Sequence, residues 1–389
     1  MRVTDIECHV LLAPDVDVER TSSAQDSFVV EVHTDAGITG LGETDVNPWI
    51  AKACVDAPGT HTMGRGLRDL VIGTDPLDPA AIWEQVYVGT AMNGRRGALI
   101  NALGAIDMAL WDIAGKATGV PCYKLLGGAV KDRIVPYASL QPDVSSFEAY
   151  RTSIVEWAVR AGDLGFRAAK LELTFGGPYR HERIDEPDER MADVIAAVRN
   201  VVPDMTLMVD VQYLWADAET AARVISTWRD FDLFFVETPL RSDDLEGYRR
   251  LHEAGTGTRI AAGEWLTTRF EFEDLLDRGL VEVAQPDIGR VGGLTEARRV
   301  CDLAATRGRI VVPHVWKTGI SIAAAVHLAA ATAHCPYIEY LPADLTGSVL
   351  RQELTADELA FSEGVIALPE KPGLGVELNR IALAKYKVA

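Results

Sequence analysis

The sequence predicts a modified (β/α)8 TIM-type barrel carrying an α+β capping domain, the cap being formed by the N-terminal part and the C-terminal tail. Three observations carry this. From about residue 133 short β-rich runs alternate with runs of helical period, the pattern of parallel strands joined by crossover helices. Eight such strands fit within residues 133–342, and about 250 residues is typical of such a barrel. The preceding third of the chain has another rhythm, strands first and helix afterwards.

The elements follow in order. "IECHVLL", "SFVVEVHTDAG" and "ITGLGET" read as an antiparallel meander, with a turn at Asp35-Ala36-Gly37. Residues 14–26, rich in Asp and Ser, read as a loop. Residues 75–124 are helical in pattern, and "RGALINALGAIDMALWDIAGKATG" stops at Gly119 ahead of Pro121. The barrel strands are "RIVPYASL", "FRAAKLEL", "MTLMVDV", "DLFFVETP", "TRIAAGEW", "LVEVAQPD", "RIVVPHVW" and "PYIEYLP", with helical runs such as "LTEARRVCDLAATRG" between them. After Pro342 the chain turns irregular, and this tail is expected to pack back on the cap. The expected boundaries are 1–128 for the cap, 129–345 for the barrel and 346–389 for the returning segment.

Composition narrows function by exclusion. The net charge of −19 disfavours a nucleic-acid partner, since that affinity comes mainly from Lys and Arg. No stretch reads as the roughly 18 apolar residues that span a bilayer, and "MRVTDIECHVLL" lacks the marks of a signal peptide. Five scattered cysteines read as free thiols in a reducing cytoplasm.

The chemistry sits where strands end. Lys170 and Glu172, Asp210, Glu237, Glu264, Asp287, His314 and Glu339 each close an apolar run. Asp210, Glu237 and Glu264 are 27 residues apart, and steps of 23, 27 and 25 lead on to Asp287, His314 and Glu339. That is the length of one βα unit, so these side chains reach the same rim on successive strands, the face where barrel enzymes keep their chemistry. Three carboxylates on adjacent strands repel one another in a low-dielectric site, and a divalent cation relieves the repulsion. All-oxygen donors select a hard ion, Mg²⁺ among them. Asp287, one unit before His314, can fix the imidazole tautomer and raise its basicity. Lys170 and Glu172 are two apart on one strand and face the same side. The pairing is expected to keep Lys170 charged and to hold the Glu172 carboxyl low.

Taken together, the acid triad, the Asp287/His314 pair, "QPDIGRVGGLTEA", Glu339 and "WDIAGKATGVPCYKLLGG" resemble the enolase superfamily, specifically its mandelate racemase-like group. The resemblance covers nearly the whole chain. It implies Asp210, Glu237 and Glu264 as Mg²⁺ ligands and removal of the proton α to a carboxylate. It further implies that Lys170 neutralises the developing charge and that Glu339 donates a hydrogen bond to the substrate carboxylate. One departure matters. The group usually carries Lys-x-Lys on the second strand, and here the motif is Lys170-Leu171-Glu172. That argues against two-base racemisation and leaves His314 as the base.

The expected reaction is dehydration of an acid sugar, an aldonate or aldarate, to a 2-keto-3-deoxy acid. Sugar-lactone or anhydro-sugar cycloisomerisation is the alternative, with epimerisation behind it. The expected partners are the carboxylate sugar and further copies of the chain, not nucleic acid or a membrane. Specificity is expected in loops 14–26 and 46–59 and in Gln141, Gln212, Trp265 and Trp316, and the long linker 174–189 is expected to help close the site.

Overall fold

The computed structural model describes residues 1–20, 22–180 and 184–389. Residue 21 of the expected loop 14–26 and residues 181–183 of the expected linker 174–189 therefore lie outside the described residues.

The cap opens with the meander Val3–Leu12, Asp26–Thr34 and Thr39–Thr44, antiparallel and in that spatial order. Helix Ala98–Thr118 lies directly on the third strand. The approach is so close that a Cβ at Gly42 would stand 1.9 Å from the Ala105 carbonyl, so this position admits only glycine. The same helix is long and apolar enough to cross a membrane by length and composition, contrary to the expectation that no stretch is. Its apolar window is 89% buried inside the protein, which makes it the core helix of the cap. The segment 46–59, expected to be a loop, holds helix Pro48–Asp56 instead, started by Pro48 and capped by the Asn47 side chain.

The barrel strands are Pro136–Leu140, Ala168–Glu172, Thr206–Asp210, Leu233–Glu237, Arg259–Ala262, Val283–Ala284, Ile310–Val311 and Ile338–Tyr340. All the described pairings among them are parallel, and the eighth strand pairs with the first. The Glu339 amide donates to the Pro313 carbonyl at 3.2 Å and brings the eighth strand against the end of the seventh. Among the described residues seven helices of nine residues or more make the crossovers; after the eighth strand come the 3-10 turn Ala343–Leu345 and the short helix Val349–Glu353 before the chain returns to the cap. Tyr137, Ala168, Met208, Phe235, Ala261, Val283 and Val312 fill the barrel interior below the rim.

The sixth and seventh strands are two residues long, shorter than their apolar runs suggest. Pro286 and Pro313 follow them, and proline has no N–H for the ladder. The chain thus leaves the sheet just before Asp287 and just before His314, freeing both side chains at the rim.

The tail is tied to both parts. Val388 donates to Val10, Arg380 reaches Glu31, and Val365–Ala367 pairs with Arg133–Ile134.

Candidate active site

Register sets the second, third and fourth strand ends side by side. Glu172 pairs with Asp210, and Asp210 with Glu237. Glu264 lies two residues past the fifth strand, Asp287 three past the sixth, His314 three past the seventh, and Glu339 on the eighth. All eight expected side chains, Lys170 included, are buried, none more than 7% exposed.

Lys170 is the hub. Its ammonium lies 2.7 Å from Glu339 Oε1 and 2.9 Å from Glu237 Oε1, with Glu172 and Asp210 each at 3.7 Å. Burial alone would discharge it, but Glu237 and Glu339 outweigh burial and hold it charged. Its main partners are thus the fourth and eighth strands rather than Glu172.

Glu172 differs from expectation. One oxygen accepts from Gln212 Nε2 at 3.0 Å, the other is the one 3.7 Å from Lys170. Burial, and then the Asp210 charge, push its carboxyl well above the ordinary range, not below it. The weaker Lys170 contact does not offset complete desolvation.

Glu339 accepts from Ser139 Oγ and from the Val315 amide, both at 2.8 Å. Burial opposes its charge, but Lys170, His314 and these bonds hold the carboxyl below its usual range.

His314 donates or accepts through both nitrogens. Nδ1 is 2.8 Å from Asp287 Oδ2, and Nε2 is 3.0 Å from Glu264 Oε2 and 3.7 Å from Glu339 Oε2. Burial opposes protonation. The Glu339 and Glu264 charges and the Asp287 bond overcome it and raise the imidazole to about 9. Asp287 also caps helix Ile288–Val291 by accepting from the Arg290 amide, which fixes the carboxylate that orients the ring.

Several participants carry no signal of strand-end spacing. Tyr213 donates to Glu264 Oε1 at 2.8 Å, Thr238 to Asp210 at 2.6 Å, and Gln285 to Glu237 at 2.7 Å. Gln285 was readable, two before Asp287 on the same run. Arg290 reaches Glu264 and the cap acid Asp45. Asp45 in turn is 3.0 Å from Lys317. Lys317, 3% exposed, also binds the Ser23 carbonyl and, at 2.8 and 2.7 Å, the Asp26 carbonyl and carboxylate. Trp316 donates to Ser22 at 3.1 Å. The segment 314–317 thus carries the imidazole and fastens the returning arm of the cap loop above it. Trp265, 43% exposed, lies against Tyr213 with ring centroids 4.1 Å apart.

A hard divalent cation fits the donor set. Six buried carboxylates, Glu172, Asp210, Glu237, Glu264, Asp287 and Glu339, face two permanent cations, Lys170 and Arg290. Burial, joined by the Asp210, Glu339 and Glu264 charges against the opposing Lys170, pushes Glu237 well above its ordinary range. The Asp210, Glu237 and Glu264 oxygens are not gathered into one tight cluster, because Lys170 bonds Glu237 and His314 takes Glu264. Among the described residues the set of three possible ligand atoms within 4.8 Å of one another is Glu7, His9 and Glu31, in the cap. There Arg380 clasps Glu31 through both carboxylate oxygens and Lys387 pairs with Glu7, so the charge is already met by side chains.

Two family models match the chain. The mandelate racemase / muconate lactonizing enzyme N-terminal domain matches residues 3–127, and the enolase C-terminal domain-like model matches residues 153–382. The chain belongs to the enolase superfamily, in its mandelate racemase-like group. Among superfamily relatives, the D-galactarolactone cycloisomerase of Agrobacterium fabrum is 32% identical, over 100% of this chain and 99% of its own length. The L-rhamnonate dehydratase of Saccharopolyspora erythraea is also 32% identical, over 91% of this chain and 83% of its own. The crystal structure of the 3,6-anhydro-D-galactonate cycloisomerase from Zobellia galactanivorans superposes with a TM-score of 0.86 at 30% identity, over 100% of both chains.

Proposed function

We propose that the protein is a Mg²⁺-dependent lyase that removes the proton α to the carboxylate of an acid sugar and eliminates water, giving a 2-keto-3-deoxy acid. The observation that carries this reading is the buried His314–Asp287 pair standing beside acids from three neighbouring strands and the Lys170 ammonium. Asp210, Glu237 and Glu264 are the residues that would hold the ion, which when bound supplies positive charge against the substrate carboxylate. Lys170 adds a fixed cation at the same place. Asp287 accepts a hydrogen bond from Nδ1–H and so fixes the tautomer, which leaves Nε2 as the atom that accepts the α-proton. The imidazolium then returns that proton to the hydroxyl leaving C3 on the same face, so one residue serves both steps of a syn elimination. Superfamily dehydratases named for rhamnonate and xylonate support this reading.

Cycloisomerisation is the second reading, favoured by the two relatives so named. It shares the proton abstraction and differs in the leaving group. Incubation with Mg²⁺ and a panel of aldonic, aldaric, lactone and anhydro-sugar acids separates them. A semicarbazide-reactive keto acid formed with loss of water is the expected product. A ring-opened isomer of unchanged mass sinks dehydration in favour of the second reading.

A further inference from the structure

Above the ends of the first and eighth barrel strands lies a cavity of about 720 Å³, bordered on its outer side by cap residues including Ala13, Asp15, Asp17, Glu19, Ser22 and Gln25. Three residues of its inner wall are near neighbours along the chain of active-site residues. Trp316 lies two residues past His314, Leu341 two past Glu339, and Gln141 two past Ser139, whose hydroxyl binds Glu339. The volume suits a small ligand.

The charge here is one-sided. Asp15, Asp17, Glu19 and Asp143 line the cavity against one cation, Arg20, and that guanidinium is already engaged by Asp143 at 2.9 Å. Neutral polar groups such as Gln141 and Ser348 and apolar ones such as Trp157, Leu341 and Val349 complete the wall. Among them Gln141 makes no side-chain hydrogen bond within the described residues.

We propose that this cavity receives the far end of the substrate and selects an aldonate, whose far end is an uncharged hydroxylated chain, over an aldarate, whose far end is a second carboxylate. The proposal rests on the acid-sugar reading above. A second carboxylate would stand among four like charges. It could reach a cation only by displacing Asp143 from Arg20, which leaves Asp143 unpaired. Hydroxyls meet no such conflict: they donate to the acids and accept from the Gln141 amide. The relatives' names, galactarolactone on one side and rhamnonate on the other, do not decide between the two classes.

The test reads binding separately from turnover. Dissociation constants are measured by calorimetry, with Mg²⁺, for matched pairs such as gluconate with glucarate and galactonate with galactarate, on His314→Asn protein. kcat/KM is measured for the same pairs on the wild type. Aldonates should bind at least tenfold tighter at low salt. The gap should narrow as salt screens the exposed loop acids, and narrow severalfold in Asp15→Asn/Glu19→Gln. Equal or tighter binding of aldarates overturns the proposal, as does binding of no pair, or a preference that neither salt nor the double variant moves. If aldarates bind and Arg20→Met abolishes only that binding, Arg20 exchanges Asp143 for the substrate and the proposal also falls. Aldonate-selective binding without any keto acid from the wild type keeps the subsite and removes the dehydratase reading.

Discussion

His314 and His327 are both buried, and their neighbours send them opposite ways. Around His314 carboxylates outweigh desolvation and raise the ring to about 9. His327, in the last crossover helix, takes the Tyr123 amide at Nδ1 and binds the Leu374 carbonyl through Nε2. Burial with no charge nearby lowers it to about 4. The neutral form is therefore the folded one, and its contribution to stability is present above about 6.5 and lost as pH falls toward 4. His327→Gln should flatten the acid limb of the urea-midpoint profile in that window; an unchanged slope would assign the acid sensitivity elsewhere. For His314, NMR titration of chelated protein should give an imidazole near 9. Added Mg²⁺ should lower it, because an ion on Glu264 removes a charge that favours the imidazolium. No movement would count against Glu264 as a ligand. Asp287→Asn should cost at least about 10–100-fold in kcat, the usual scale for an orienting partner, and wild-type activity in that variant would dissolve the pair.

At the scale of elements, cap and barrel meet through backbone contact and a few buried ions. Gly42 lets the third cap strand lie on helix Ala98–Thr118, and Asn101 of that helix donates to the Arg290 carbonyl at 2.6 Å. A misplaced cap helix would thus move Arg290, which touches Glu264. Gly42→Ala should destabilise by about 1–3 kcal/mol or more through overpacking, visible as a lowered Tm, and a wild-type melting curve would refute the close approach. Lys317→Met leaves Asp45 and Asp26 without their shared cation. The expected result is faster proteolysis within residues 14–26 and a raised KM. Unchanged cleavage would mean that the loop is held by its other contacts, among them Trp316 to Ser22 and the Ser348 hydroxyl to the Ala24 carbonyl.

For the whole molecule the dominant electrostatic fact is the surplus of buried acid at one end of the barrel. Glu237→Gln should weaken Mg²⁺ affinity and abolish turnover with the fold intact, and full activity in excess chelator would end the metal assignment. Strand-end chemistry was legible because a parallel βα repeat converts spacing along the chain into common height at the rim. The 27-residue steps from Asp210 to Glu264 needed no coordinates. The partners of those acids were not legible. Lys170 is bonded to Glu237 and Glu339, 67 and 169 residues away, and nothing local distinguishes it from a lysine paired with Glu172. Glu172 went the other way from expectation for the same reason: desolvation and the sum of neighbouring charges fix a carboxyl's state, and both are properties of the packed site.

By itself the sequence determined the barrel, the cap and the identity of the rim residues, because periodicity, proline punctuation and unit length act locally along the chain. The tertiary structure alone decided which carboxylate meets which cation. It also decided that the returning loop is fastened to the segment bearing His314, and that the cavity beyond is acidic. Those outcomes depend on distances between residues brought together by the closing of the barrel and the docking of the cap, and Coulomb energy and desolvation act across space rather than along the chain.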